Sequence, residues 1–562
     1  MRKIDRRTCV STLAAGLVAT SSPVAFAIPE QTADIVIIGG GLGGCSAALS
    51  ALRQGKRVVM TEPSDWIGGQ LTSQGVPPDE HRWIETRGAN SSYRELRTRI
   101  RDYYRTQTPL VAAARENPLL NPGNGSVSRL CCEPQVALKV LEDWLAPYVA
   151  SGQLKILRQT VPTSADVDGD RVQAITVTNT TSGSSQVLRG KIFVDATELG
   201  DLLPLTGAEF TVGSDAKAQT NELHAGDKAR PDNQQAFTVC FAAEYVAGAD
   251  HIIDRPESYE FWRDFVPQLT PPWPGKLLDW TYTHPRSGQP RQLGFNPTGG
   301  PAKGVINLWL YRRIIDRSQF EAGSYGGDVS LINWPQNDYL PGNLIGVSAE
   351  EAQDHIHRAG QLSLSLLHWM QTEAPRDDGG MGFPGLRLRP DIMGTADGLA
   401  KMPYIRESRR IQAEFTVLEE HVGREQRSML LGQAPAEIRA AQFADSVGVG
   451  AYAIDLHPST GGDNYIDFET LPFQIPLGSL LPVRLENLLP ACKNIGVTHL
   501  TGGCYRLHPV EWGIGEAVGV LASFALSQGH SPRTVRREAP LLQEFQQLLQ
   551  QQGAELTWGD VS

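Results

Sequence analysis

Ala33-Asp34-Ile35-Val36-Ile37-Ile38, followed by Gly39-Gly40-Gly41-Leu42-Gly43-Gly44, a small-residue run from Cys45 to Gln54, and Arg57-Val58-Val59-Met60 leading to Glu62, is the stretch that decides the fold. Its first six residues are an apolar, β-branched run of the kind that fills a central parallel strand. Strand, Gly39-x-Gly41-x-x-Gly44, helix, second strand and acid, in that order, make a complete dinucleotide fingerprint rather than a bare glycine pattern. Gly39 allows the tight turn, Gly41 lets backbone amides approach a pyrophosphate, and Gly44 lets the helix pack against the strand. The helix N-terminus offers unpaired amides and a positive dipole end to phosphates. Glu62, 18 residues after Gly44, is placed to accept hydrogen bonds from an adenosine ribose. Gly39, Gly41, Gly43, Gly44 and Glu62 are the first candidate cofactor residues.

The fingerprint alone does not separate FAD from NAD. Trp66 to Gly75 follows the acid with Gly68, Gly69 and Gln70, a glycine-rich stretch suited to carrying backbone past an extended dinucleotide. Lys191 to Thr197 is another strand closing on small residues, Ala196 and Thr197 among them, and runs into Glu198-Leu199-Gly200-Asp201. Near the C-terminus, Glu486 to Ala491 leads to a loop and then to Gly513-Ile514-Gly515-Glu516-Ala517-Val518-Gly519, read as a glycine-opened helix. Nucleotide-contacting elements spread this widely imply one long ligand across a sheet built from distant segments.

These pieces resemble the FAD-dependent oxidoreductases built like the glutathione reductase superfamily, and most of all their bacterial FAD-dependent oxidoreductase group. Further matching motifs are Leu331 to Tyr339, Pro403 to Arg410, Asp445 to Pro458 and Gln474 to Leu480. The resemblance implies an α/β fold: a discontinuous Rossmann-like FAD-binding domain at 30–215 and 480–535, and a second, α+β substrate domain at 216–479. A C-terminal helix is expected within 536–562, where Leu541, Leu542, Phe545, Leu548 and Leu549 fall at amphipathic spacing. The chain departs from the group where a glycine-arginine pair is usual after the last strand: it has Cys492-Lys493, so that Asn494 or its amide is expected to make the cofactor contact.

Composition agrees with a globular chain of more than one domain: 562 residues, 41% apolar and 20% charged. It excludes a disordered, fibrous or multi-span membrane protein. A net charge of −11 disfavours nucleic acid as a partner. Met1 to Ala27 reads as an export signal, with Arg6-Arg7 ahead of a weakly apolar run and Ala25-Phe26-Ala27 at its end, which looks like the twin-arginine type and places the mature chain in the periplasm or outside the cell. That run is too short to span a bilayer, and no later segment reads as the required ~20 apolar residues. The six cysteines left after Cys9 form no disulfide framework. Adjacent Cys131-Cys132 reads as two partly buried thiols or as a vicinal redox pair.

For chemistry, His499, His508 and His457 are the candidate acid–base groups, the first two flanking what reads as a loop, Thr501 to Arg506. Arg406, with Arg409 and Glu407, could bind a carboxylate or form an internal ion-pair network. Asn337, Asp338 and Tyr339 belong to a group-identifying motif. A second glycine pattern, Gly380-x-Gly382-x-x-Gly385, contains Pro384 and reads as a loop. His355 and His357 sit two apart on a helical pattern and point apart, so no metal cluster is expected. Six of eleven tryptophans fall in the second domain, as an aromatic wall or as core. The expected cofactor is FAD. The expected function is a dehydrogenase or oxidase of a small molecule, with oxygen, a quinone or a soluble carrier as electron acceptor. The alternatives are an NAD(P)H-fed flavin monooxygenase or reductase, and a non-catalytic flavin-bound electron relay.

Overall fold

The computed structural model describes residues 28–304 and 306–559; the export-signal reading of 1–27 lies outside them. At the centre is a five-stranded sheet, all parallel: β1 (Ile35–Ile38), β2 (Val58–Thr61), β3 (Leu154–Leu157), β4 (Ile192–Asp195) and β5 (Leu488–Pro490), in the spatial order β5-β4-β1-β2-β3. All four residues of β1 are completely buried, each contributing about 1.5–3 kcal/mol by leaving water. That burial explains why this strand alternates nothing: both faces are covered. The fold is α/β with a Rossmann-like dinucleotide-binding sheet.

Helix α1 (Leu42–Arg53) joins β1 to β2, and helix α2 (His508–Gln528), arriving from the other end of the chain, lies directly on it. Glycines make this approach possible. A Cβ at Gly515 would stand 2.1 Å from the Gly43 carbonyl oxygen, and one at Gly519 would stand 2.3 Å from that of Ala47. Helix α2 starts at His508, five residues before the expected opening at Gly513, so Gly513 and Gly515 lie mid-helix. Contrary to the expectation that no segment after the signal is long and apolar enough, it is 21 residues long and passes as a membrane span by length and composition, but 89% of its apolar window is buried inside the protein.

A second sheet, Glu30–Thr32, Ser185–Arg189, Arg171–Asn179 and Thr160–Asp168 in spatial order, leans on the first, its hairpin turned at Gly169. A third, built from Arg313–Ile315, Val329–Ile332, Phe241–Tyr245 and Leu386–Leu388, separates two cores. Phe241 and Ala243 face one together with the helix Ala349–Thr372, while Ala242 faces the core shared with the parallel sheet, as the two-residue period of a strand requires. The six tryptophans, Trp262, Trp273, Trp280, Trp309, Trp334 and Trp369, all pack in the former cluster and are core. His355 is buried against the Tyr339 hydroxyl at 2.9 Å, while His357 on the same helix is exposed.

Local expectations differ at a few points. Residues 214–235, a polar and charged stretch whose composition alone suits a surface loop, hold a short helix, Lys217–Thr220, and end in buried Asn233, Gln234 and Gln235. Thr501 to Arg506 is no loop: the helix His499–Tyr505 includes most of it, capped by the Thr498 hydroxyl. The closing helix is Ala539–Gln551, ended by Gly553 in the left-handed region. Cys131 and Cys132 are free and fully buried, and burial pushes the Cys131 thiol up to about 12.

Candidate active site

Two clefts of similar size meet at one wall. The first, about 460 Å³, runs past the C-terminal ends of the parallel strands, from Glu62 and Thr61 over Gly39, Gly40 and Gly41 to Gly69 and Ser73. This is where an open parallel sheet binds its ligand. The glycines are a cradle in the literal sense. Gly39 has φ +103°, and a Cβ there would stand 2.2 Å from the Ala196 carbonyl oxygen. A Cβ at Gly44 would meet the Gly39 carbonyl oxygen at 2.1 Å, and one at Gly41 would point at Glu198 Oε1, 3.1 Å away.

Glu62 accepts hydrogen bonds from the Ser64 amide (2.9 Å) and hydroxyl (2.6 Å). Burial nonetheless pushes its carboxyl up to about 8, so its ionised form needs more donors than the protein supplies. Beside Gly41 lies a buried charge cluster: Lys493 Nζ pairs with Glu198 and, at 3.5 Å, with Glu511, whose other oxygen accepts the Gly43 amide at 3.1 Å. Gln70 Nε2 donates to Glu511 at 2.5 Å. Burial opposes the Lys493 ammonium, and the anionic groups around it, Glu198 and Glu511 among them, outweigh burial and hold it charged. Glu198, Cys492 and Glu511 bring ligand atoms within 4.8 Å of one another, but the Lys493 ammonium already pairs with both carboxylates.

The second cleft, about 470 Å³, is lined by Arg312 and Asn333, each next to an end of a strand of the third sheet, by Asp79, by residues from Tyr452 to Asp467 and by Arg506. The stretch Met402–Arg406 divides it from the first: Met402, Pro403 and Ile405 face the dinucleotide cleft, Tyr404 and Arg406 the second. Two backbone hydrogen bonds between Tyr404 and Thr238 fix this wall in register. Facing the second cleft is a relay of charges. Arg406 Nη2 forms an ion pair with Asp338 (3.0 Å), Thr238 Oγ1 donates to the same oxygen (2.7 Å), and the other Asp338 oxygen holds His457 Nδ1 at 2.6 Å. Burial works to raise the Asp338 carboxyl, but Arg406 and His457 outweigh it and hold it below its ordinary value. An ionised Asp338 fixes the proton of His457 on Nδ1 and leaves Nε2 for the cleft.

A family model for FAD-dependent oxidoreductases matches residues 34–549. The chain belongs to the FAD-dependent oxidoreductase family. An NADH:acrylate oxidoreductase from Vibrio harveyi is 46% identical over 56 residues, which is 10% of this chain and 6% of that relative. Among solved structures, a geranylgeranyl bacteriochlorophyll reductase-like protein from Thermoplasma acidophilum aligns over 93% of this chain and 85% of its own at 10% identity (TM-score 0.30). An E. coli quinol fumarate reductase variant aligns over 93% and 74% at 11% identity (TM-score 0.31). Alignments at those scores add nothing to the topology already described.

The first cleft fits FAD. Its glycines leave room for backbone approach, Glu62 lacks donors that ribose hydroxyls supply, and Glu198 Oε1 is buried without a partner on the cleft wall. Gly39, Gly41, Gly69, Ala196 and Thr197 line it with Glu62. Gly43, Gly44, Gly513 and Gly515 do not; at Gly43, Gly44 and Gly515 an added Cβ would strike backbone, so they serve packing behind the cleft. The Asn494 side chain is used within the protein: it donates to the Asp195 carbonyl (3.0 Å) and accepts the Cys492 amide (3.2 Å). Lys493 does not line the cleft itself; it stands behind the wall and pairs with Glu198, which does. Lys493→Ala is expected to weaken FAD retention about tenfold by leaving Glu198 an unpaired anion on the cleft wall, while Lys493→Arg retains it. The ratio of flavin to protein absorbance after gel filtration checks this.

Of the acid–base candidates, only His457 and its neighbour Arg406 line a large cleft. His499 pairs with Glu407 at 2.8 Å in a separate small crevice. His508 accepts the Asp79 amide at 3.2 Å and donates to the Val76 carbonyl at 3.1 Å, and burial above all lowers its ring to about 4. It is a neutral brace for the loop that carries Asp79. Arg409 faces the FAD cleft instead of Arg406's side, bonded to Leu199 and Asp201. No sequence argument singles out Asp79, Arg312, Tyr452 or Asp455 as site residues, because three distant segments bring them together.

Proposed function

We propose that this protein is a FAD-dependent dehydrogenase or oxidase of a small organic molecule, exported from the cytoplasm, with oxygen, a quinone or a soluble carrier as electron acceptor. The observation that carries the reading is the second cleft, which shares a single wall with the FAD cleft and presents a histidine–aspartate pair to its interior. Bound FAD supplies a hydride or electron acceptor. The chain's part is to hold the substrate against the wall Met402–Arg406 and to move one proton: His457 Nε2 takes it from the substrate while Asp338 steadies the resulting imidazolium. Arg406 keeps Asp338 anionic, so the pair is set before substrate arrives. Export rests on Arg6-Arg7, and lysines at both positions are expected to hold the chain in the cytoplasmic fraction.

The test is anaerobic mixing of flavin-loaded protein with a panel of small molecules, with and without NADH or NADPH. Bleaching of the flavin by a substrate alone is the expected result. Bleaching by NADH or NADPH alone turns the assignment to a reductase or monooxygenase, and bleaching by nothing turns it to an electron relay.

A further inference from the structure

The buried polar atoms of the second cleft are unmatched in one direction only. Among its lining residues, Nε of Arg312, Arg406 and Arg506, Nδ2 of Asn333 and Nε1 of Trp334 are buried without a hydrogen-bond partner, and every one of them is a donor. A buried unpaired donor costs about 1–3 kcal/mol, so a cluster of five in one cavity wall is not incidental to a stable fold. The FAD cleft next door shows the opposite sign, an orphaned acceptor at Glu198 Oε1.

The arginines are anchored by neutral groups, Arg312 Nη1 donating to the Asn333 carbonyl at 2.7 Å and Arg506 to the Tyr404 hydroxyl at 3.0 Å and the Asp455 carbonyl at 3.1 Å, while their carboxylate contacts are long. Arg312 Nη2 stands 3.4 Å from the nearer Asp79 oxygen, and Arg506 Nη2 stands 3.4 Å from Asp455 Oδ2. Elsewhere the same chain saturates a buried arginine: Arg97 donates to Glu80 and Glu85 at 2.8, 2.6 and 2.7 Å. A guanidinium fork aligned with a planar carboxylate makes two short parallel bonds, and neither Arg312 nor Arg506 makes such a pair within the protein. Tyrosine rings, Tyr311 and Tyr452 among them, supply an apolar body to the same cavity.

We infer that the second cleft binds its substrate through a carboxylate seated between Arg312 and Arg506, so that the molecule oxidised is a small organic acid with a flat or apolar body. This rests on the second cleft being the substrate site, and it names the substrate class. Asp79 and Asp455 keep the two arginines apart and charged until the ligand's carboxylate replaces part of their contact.

Calorimetry on the FAD-loaded protein tests it without turnover, using benzoate and its neutral isostere benzamide. Benzoate is expected to bind at least about tenfold more tightly than benzamide, the difference one charge-assisted contact makes. Arg312→Gln and Arg506→Gln should each remove most of that preference and leave benzamide unchanged. Arg312, whose side chain is 12% exposed, is the safer variant should Arg506→Gln fail to fold. Equal binding of the two probes, binding of neither, or a preference unaffected by Arg312→Gln overturns the carboxylate subsite. Those outcomes are separable from failure of the dehydrogenase reading. A flavin bleached only by neutral molecules leaves the dehydrogenase standing without this subsite; a benzoate preference lost in Arg312→Gln, with no bleaching by any acid, does the reverse.

Discussion

Gly515→Ala is expected to cost at least about 3 kcal/mol of stability and most of the bound FAD, whereas Gly513→Ala, two residues away on the same helix, should be neutral or raise stability by about 0.5–1 kcal/mol. The contrast follows from what a methyl group meets. At Gly515 it would stand 2.1 Å from a backbone oxygen of Gly43, an atom that cannot move without displacing the glycine turn that receives the cofactor. At Gly513 the nearest atoms are 3.9 Å away, so only the helix-propensity gain of alanine remains. Thermal melts with and without added FAD check both. If Gly515→Ala melts like the parent, the close approach of the two helices is not the one described.

The second large effect is on rate. His457→Ala should lower the rate of flavin bleaching by about 10²–10⁴-fold with FAD content unchanged, the range for losing a positioned general base. Asp338→Asn should lower the rate while leaving a residue of similar shape in place; it removes the anion that both fixes the Nδ1 proton and balances Arg406. Stopped-flow bleaching beside FAD content separates these roles from a folding defect, which would change FAD content first. An unaltered bleaching rate in His457→Ala would falsify its assignment as the base.

What the sequence made legible was local. From Ile35 to Glu62, strand, turn, helix and acid follow within one continuous stretch, each element specified by its own residues, and β1, α1 and β2 stand where that reading puts them. Glycines misled for a related reason: Gly513 and Gly515 carry the small-residue signature of a helix opening, yet the same signature is what two tightly packed helices require. A histidine's role was least legible. His499, His508 and His457 look alike as letters, and only three-dimensional neighbours separate an ion pair, a backbone brace and a group open to a cavity. Arg312 and Arg506 had no sequence signal at all beyond their charge, since their meaning depends on the donors left unpaired around them.

The stretch Met402–Arg406 has one more consequence. Because the side chains from Pro403 to Arg406 point alternately to the two clefts, the two chambers share a fixed arithmetic: a single inserted or deleted residue there would hand each chamber the other's wall, turning Arg406 or Tyr404 toward the FAD cleft and Ile405 toward the second. Evolution can therefore retune this enzyme's selectivity by exchanging letters in that segment, but not by changing its length, and a change made for one ligand is always one residue from the other.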